Sequence, residues 1–199
     1  MQELIVASRN KGKINEIKEL LADLPFKIFS LLDYPELPDV IEDGATYRAN
    51  ALKKAVQIAK ALGKITMADD SGIEIRALNG APGIYSARFA GKGADEKAKN
   101  RKLFAMLEGV SMAKRQARYR CVIALSDGKG KAMGVTQGTC SGYITLEERG
   151  SNGFGFDPLF LIKRYNKTFG ELPASVKAKI SHRARALKKF KKLIAGVQF

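Results

Sequence analysis

Two adjacent carboxylates, Asp69 and Asp70, are followed by Ser71 and Gly72 and lie between apolar runs at 65–68 and 73–77. The pattern predicts two strands flanking an acidic turn, a position from which carboxylates reach a crevice without entering the core. Acids placed there suit the binding of a hard divalent cation and the orientation and deprotonation of water for attack on phosphorus. A plain polar β-turn, which Asp and Gly build routinely, is the competing account. Glu42, in a Pro- and acid-rich loop before the second predicted helix, is a further candidate oxygen ligand. The chain has one histidine, His182, and two cysteines, Cys121 and Cys140, which form no Cys-x-x-Cys pair. A zinc site is hard to assemble from these, so any catalytic metal is expected to be held by oxygen, as magnesium or manganese. The cysteines read as small core residues of strands.

Three other segments carry groups that bind nucleotides elsewhere in protein chemistry. Ser8-Arg9-Asn10-Lys11-Gly12-Lys13 falls between a predicted strand and helix, where free helix amides and lysines make a phosphate cradle. It does not satisfy the pattern G-x-x-x-x-G-K-[ST], because Ile14 follows Lys13, and an Asn-capped helix with solvated lysines explains it equally well. Gly153-Phe154-Gly155-Phe156-Asp157-Pro158 joins flexible glycines to two aromatics and a carboxylate, a set suited to stacking a flat base and bonding its edge. Two phenylalanines plugging the core of a tight loop is the other reading. Ser181-His182-Arg183 opens the last predicted helix, where amides and side chains converge on a ligand oxygen or where a serine merely caps the helix. Lys54 and Lys177 are surface lysines by default.

These groups need a scaffold of alternating elements. A strand over 4–7, a helix over 11–24, a strand over 27–32 and a helix over 46–62 closed by Gly63 follow from periodicity and caps. A helix over 95–107, strands over 117–125, 132–136 and 142–146, and an amphipathic helix over 181–194 complete the pattern. The reading is a single α/β domain over 1–199 with a mixed sheet, and no repeat or linker divides it. The N-terminus lacks a basic start and long apolar run, and no stretch reaches membrane-spanning length, so a cytoplasmic protein without a membrane partner is expected. The formal charge is +15, and residues 163–192 hold eleven basic residues against one acid, Glu171. Such a surface suits phosphorylated small molecules or nucleic acid, and equally a solvated face.

Taken in order, the segments resemble the inosine triphosphate pyrophosphatase family from one end of the chain to the other. The matching blocks are Ser8-x-Asn10-x-x-Lys13-x-x-Glu16; Glu42-x-Gly44-x-Thr46-Tyr47-x-x-Asn50-Ala51-x-x-Lys54-Ala55; Ala68-Asp69-Asp70-Ser71-Gly72; the run 80–89 ending in Arg88-Phe89; Gly153 to Pro158; and Ile180-Ser181-His182-Arg183. The resemblance implies an elongated α/β fold whose mixed twisted central sheet is flanked by helices, with two lobes around a nucleotide-binding cleft, and it implies a homodimer. The activity it implies is magnesium-dependent hydrolysis of dITP, ITP and XTP to the monophosphate and pyrophosphate. By the same resemblance Ser8, Asn10 and Lys13 line the triphosphate, with Arg9, Lys11 and Gly12 in the same loop and Lys54 and Lys177 adding positive charge. Glu42 and Asp70 hold the metal, Asp70 accepts the proton, Asp69 shapes the acidic turn and Ser71 touches substrate. Phe154, Gly155, Phe156 and Asp157 contact the base, and His182 and Arg183 face its 6-oxo group. A donor-lined pocket of this kind favours an acceptor oxygen and opposes the 6-amino group of adenine. Phe156 departs from the tyrosine or tryptophan usual in the family, and Tyr47 and Tyr119 replace phenylalanines. A nucleic-acid-binding protein using the basic C-terminal helix, and a pyrophosphatase of modified pyrimidine triphosphates, are the alternatives.

Overall fold

The computed structural model describes residues 1–91 and 93–197. Among them seven strands form one mixed sheet in the order β2-β1-β3-β4-β5-β6-β7. β1 (Gln2–Val6) runs parallel to β2 (Phe26–Ser30) and to the start of β3 (Thr66–Ile75). At the other end β5 (Ala132–Ile144) is antiparallel to β6 (Phe160–Ile162), which is antiparallel to β7 (Lys167–Thr168). β4 (Gln116–Ser126) lies between β3 and β5. The chain divides into two compact units, unit 1 with residues 1–70, 121–138 and 182–199, and unit 2 with residues 71–120 and 139–181.

Unit 1 is built on α1 (Lys11–Leu20), α2 (Tyr47–Leu62) and α5 (His182–Ala195). Its core joins Leu4 and Val6 of β1, Ile17 of α1, Met67 of β3, Cys121, Ile123 and Leu125 of β4, and Leu187, Phe190 and Ile194 of α5. The apolar stripe of α5 is the one its periodicity requires, and its lysines at 188, 189 and 192 are exposed. α1 stops four residues short of the expected end, where residues 21–24 form a turn before Pro25, a residue type that disfavours helical backbone at the position before it. α2 starts and ends as expected, with the Thr46 hydroxyl accepting from Ala49 N and Gly63 taking a left-handed conformation at φ 64°.

Unit 2 holds α3 (Glu96–Leu107) and α4 (Ala174–Ile180). Its core gathers Ile73 and Ile75, Leu103 and Leu107, Tyr119, Ile144, Phe156, Phe160 and Phe169, with the rings of Tyr119, Phe160 and Phe169 in mutual contact. Both cysteines are buried and outside any disulfide, as small core residues.

Two sequence expectations are corrected here. The strands over 65–68 and 73–77 are one strand, β3, and Asp69-Asp70-Ser71-Gly72 is its middle and not a turn. The two carboxylates mimic turn composition, but each finds a partner inside the fold, which removes the need for solvent that makes acids favour turns. The strands over 132–136 and 142–146 are likewise the continuous β5. β6, β7 and α4 went unpredicted because two to seven residues carry too little periodicity.

The packing of α5 gives a direct test. Phe190→Ala is expected to cost about 3–5 kcal/mol in urea unfolding, against less than about 0.5 kcal/mol for Lys188→Ala on the exposed face.

Candidate active site

The constellation in unit 1 forms on one strand position. Asp69 leaves β3 toward Lys13, Arg183 and Cys121: Lys13 Nζ lies 2.7 Å from Oδ1, Arg183 Nε and Nη2 donate to Oδ2 at 3.2 and 3.1 Å, and the Cys121 thiol stands 3.5 Å from Oδ2. Lys13 comes from the first turn of α1, which Asn10 sets by capping Lys13 N at 2.9 Å, and Arg183 comes from the first turn of α5. Arg183, only 1% exposed, also donates from Nη1 to Glu16 at 2.5 Å. Burial alone would raise the Asp69 pKa, but Lys13, Arg183 and Lys54 outweigh it and hold the carboxyl well below the usual range. Asp69 is thus a permanently ionised, fully engaged group.

Asp70 differs in every respect. Its Oδ2 accepts from Asn50 Nδ2 of α2 at 3.0 Å. Burial, reinforced by the nearby Glu42 carboxylate, pushes its pKa up to about 6 against the pull of Lys54, Lys13 and the Asn50 amide. Glu42 itself is bound by Lys54, whose Nζ lies 2.5 Å from Oε1 and 2.6 Å from the Asp69 carbonyl oxygen. Lys54 is buried, not the surface lysine that composition suggests; burial alone would lower its pKa, and Glu42, Asp69 and Asp70 together raise it. A carboxylate with a near-neutral pKa beside a second carboxylate and a buried ammonium has the properties of a proton acceptor and of a cation ligand.

The remaining residues of the first loop occupy defined places. Ser8 Oγ accepts from Asn10 N at 3.2 Å, and Lys11 and Gly12 open α1. Arg9 turns to the segment after β2, donating to the carbonyls of Leu31, Tyr34 and Leu37 and to Asp39. Its guanidinium pins that segment.

Unit 2 holds a second cluster. Asp157 is buried and accepts from Phe154 N at 2.9 Å and from Lys177 of α4 at 2.5 Å. The Lys177 ammonium, buried like Lys54, lies 4.8 Å from the centre of the Phe154 ring. Gly155 N donates to Glu96 at 2.7 Å. Phe156 is buried against Phe89 edge to face, so this ring belongs to the core of unit 2. Ser71 follows Asp70 on β3 and is partly exposed; His182, 4% exposed, is the first residue of α5.

Sequence reasoning gave Glu16, Asn50 and Cys121 no part in the site. Asn50 had a readable signal, since it shares with Lys54 the i, i+4 face of α2 that carries Ala51 and Ala55. A groove of about 640 Å³ in unit 2, lined among others by Arg76, Gln116, Arg118, Ser141, Tyr143 and Lys163, contains none of the residues proposed from sequence as catalytic, metal-binding or substrate-binding. Its one carboxylate, Glu74, is taken by Arg118 and Arg120, which leaves the groove without a ligand set for a hard cation. The cluster of ionisable groups lies at β3 instead.

The chain is similar to known proteins along almost its full length. The chain is 47% identical over 187 residues to a dITP/XTP pyrophosphatase of Desulforamulus reducens, covering 94% of this chain and 92% of that protein. It is 48% identical over 197 residues to a dITP/XTP pyrophosphatase of Shouchella clausii, covering 99% and 98%. Among solved structures, a HAM1 protein from Coxiella burnetii superposes with a TM-score of 0.88 at 38% identity, covering 99% of this chain and all of the other. The Ham1 family profile matches residues 4–193, and with relatives of this identity along almost the full length, the chain belongs to the Ham1 family.

Proposed function

We propose that the protein hydrolyses nonstandard purine nucleoside triphosphates, dITP, ITP and XTP, to the monophosphate and pyrophosphate. The observation that carries this reading is the division of labour on β3, where an ionised Asp69, paired with Lys13 and Arg183, sits next to an Asp70 whose pKa is about 6. The relatives named dITP/XTP pyrophosphatase supply the substrate class.

Asp70 is the proton acceptor for the attacking water, and its raised pKa suits a base that works near neutrality. Lys13 and Lys54 stand within the same constellation and supply positive charge for phosphate oxygens. Arg183, engaged on Asp69 and Glu16, acts by holding Asp69 and α5 in place. Phe154, with Asp157 and Lys177, is assigned to the base, and His182 to its 6-oxo edge; Ser8, Asn10, Gly12 and Ser71 are assigned to substrate through their polar groups and amides.

Magnesium is the proposed cofactor, with manganese as a substitute, and Glu42 and Asp70 are the residues that would hold it. Among the described residues no group of three or more His, Cys, Asp or Glu stands ready to hold a metal. Two carboxylates fit the ion nonetheless, because magnesium is held by one or two carboxylates together with substrate phosphates and water. Burial, reinforced by the Glu42 carboxylate, raises Asp70 and marks a place where a cation is favourable. When bound, the ion neutralises charge on the phosphates as pyrophosphate leaves.

No helix among the described residues is long and apolar enough to cross a membrane. We assign the enzyme to the cytoplasm, where its nucleotide substrates are, and to a homodimer on family grounds; light scattering is expected to give twice the chain mass of 21.7 kDa, and a monomer at micromolar concentration would refute the dimer.

A pyrophosphate-release assay tests the activity. With magnesium, dITP and XTP are expected to turn over at least about 100-fold faster, in kcat/KM, than dATP, dUTP or methylated pyrimidine triphosphates. Asp70→Asn is expected to lose about 10²–10⁴-fold in kcat, and near-parental turnover by this variant removes Asp70 from the mechanism. Salt-sensitive DNA or RNA binding without turnover would favour the nucleic-acid alternative.

The same residue has a consequence for stability. The folded-state pKa of about 6 lies above the ordinary value of 3.8, so between these the folded protein binds the extra proton. Stability therefore rises as the pH falls from 6 toward 4 and is lost as the pH climbs through 6. Metal-free Asp70→Asn is expected to be more stable than the parent at about pH 8, by on the order of 3 kcal/mol in urea titrations, with the gap closing below about pH 4. Equal stability at the higher pH would show that burial does not oppose the charge.

A further inference from the structure

We propose that Asn50 is a positioning residue for the reaction, its side-chain amide tying the Glu42 loop to the Asp70 strand and thereby setting the arrangement of the two metal-binding carboxylates. The inference rests on the assignment of Glu42 and Asp70 as ligands made above.

Asn50 is 0% exposed and lies in the first turns of α2, on the face that also buries Ala51, Lys54, Ala55, Ile58 and Ala59. An amide in an alanine-lined face is unfavourable unless both its donor and its acceptor are paired. Both are, and to different parts of the chain. Oδ1 accepts from Gly44 N at 2.8 Å, and Nδ2 donates to Asp70 Oδ2 at 3.0 Å. Gly44 is two residues from Glu42, so the first bond fixes the loop that carries this ligand, and the second fixes one oxygen of the other.

The orientation of the amide follows from its partners. A carboxylate oxygen only accepts and a backbone N–H only donates, so the nitrogen must face Asp70 and the oxygen Gly44. Aspartate at position 50 would offer Asp70 no donor, and leucine would serve neither end. The seat of the loop is equally specific: a Cβ on Gly44 would stand 2.6 Å from Asn50 Oδ1 and 2.9 Å from Ala49 Cβ. Residue 44 must lack a side chain for the loop to reach the amide. A side chain that touches both ligand segments is the kind of outer partner that orients metal-binding groups.

The test uses Mn²⁺ alone as probe, titrated by water proton relaxation, together with kcat and KM for dITP and a thermal melt. Asn50→Ala is expected to weaken Mn²⁺ binding about 10–100-fold and to lower kcat by a similar factor, with KM moving less than about threefold. Gly44→Ala, which leaves the amide intact but lifts the loop, is expected to give the same pattern, and it carries the test should Asn50→Ala fail to fold. Parental Mn²⁺ affinity in both Asn50→Ala and Gly44→Ala, while Glu42→Gln and Asp70→Asn lose it, overturns the role of Asn50 alone. Parental affinity in Glu42→Gln and Asp70→Asn overturns the ligand assignment, and the proposal with it.

Discussion

The site depends on the two-residue period of a β-strand. Successive side chains leave β3 on opposite faces, so Asp69 and Asp70, adjacent in sequence, take different hydrogen-bond partners. One meets Lys13, Arg183 and Cys121, and the other meets Asn50 and the field of Glu42. Had both acids lain in a solvated turn, water would have screened them alike. Inside the strand their pKa values are driven apart, one far down and the other up to about 6. Such a separation between neighbouring carboxyls is how a fold obtains a fixed charge and a proton acceptor from the same residue type.

The fixed charge organises unit 1. Asp69 draws Lys13 from α1, Arg183 from α5 and, through its carbonyl oxygen, Lys54 from α2. Three helices are thereby aimed at a single strand position, one of them 114 residues away in sequence. A buried ionic cluster of this kind adds little net stability compared with an apolar one, whereas removing one partner leaves a stranded charge worth about 3–5 kcal/mol. Its value is in specifying geometry: any helix that shifts strands a charge. Arg183 illustrates this specification, since its guanidinium binds both Asp69 of β3 and Glu16 of α1.

The regular frame was readable in the sequence wherever a physical signal extends over several turns. α2 is bounded by the Thr46 cap and left-handed Gly63, and α5 by its apolar stripe, and both fall within a residue of expectation. The site residues were readable as a set of blocks, but their surroundings were not. Lys54 and Lys177 looked like solvated lysines because no local pattern announces a carboxylate supplied from 12 or 20 residues away. Arg9 sits in the middle of a phosphate-like loop yet serves carbonyls of the segment after β2. Phe156 was open between base and core from composition, and its packing on Phe89 decides for the core. The acidic turn failed for a general reason: propensity describes an unpartnered Asp, and both of these are partnered.

The charges of the site also bear on what it accepts. Lys13, Lys54 and Arg183 face Glu16, Glu42, Asp69 and Asp70, one carboxylate more than the cations present. A chain of net charge +15 thus contains, at β3, a cluster that does not by itself welcome a bare triphosphate. The wider positive field draws phosphates in at long range, where individual pairs are not resolved. At short range the surplus carboxylate must be met by a cation or a proton, and above about pH 6 the proton has left Asp70. A nucleotide that arrives with a divalent cation satisfies both requirements at once, because the ion neutralises the acids that the phosphates would otherwise oppose. The raised pKa of Asp70 and its suitability as a cation ligand therefore share one cause, the burial of its carboxylate with that of Glu42 nearby.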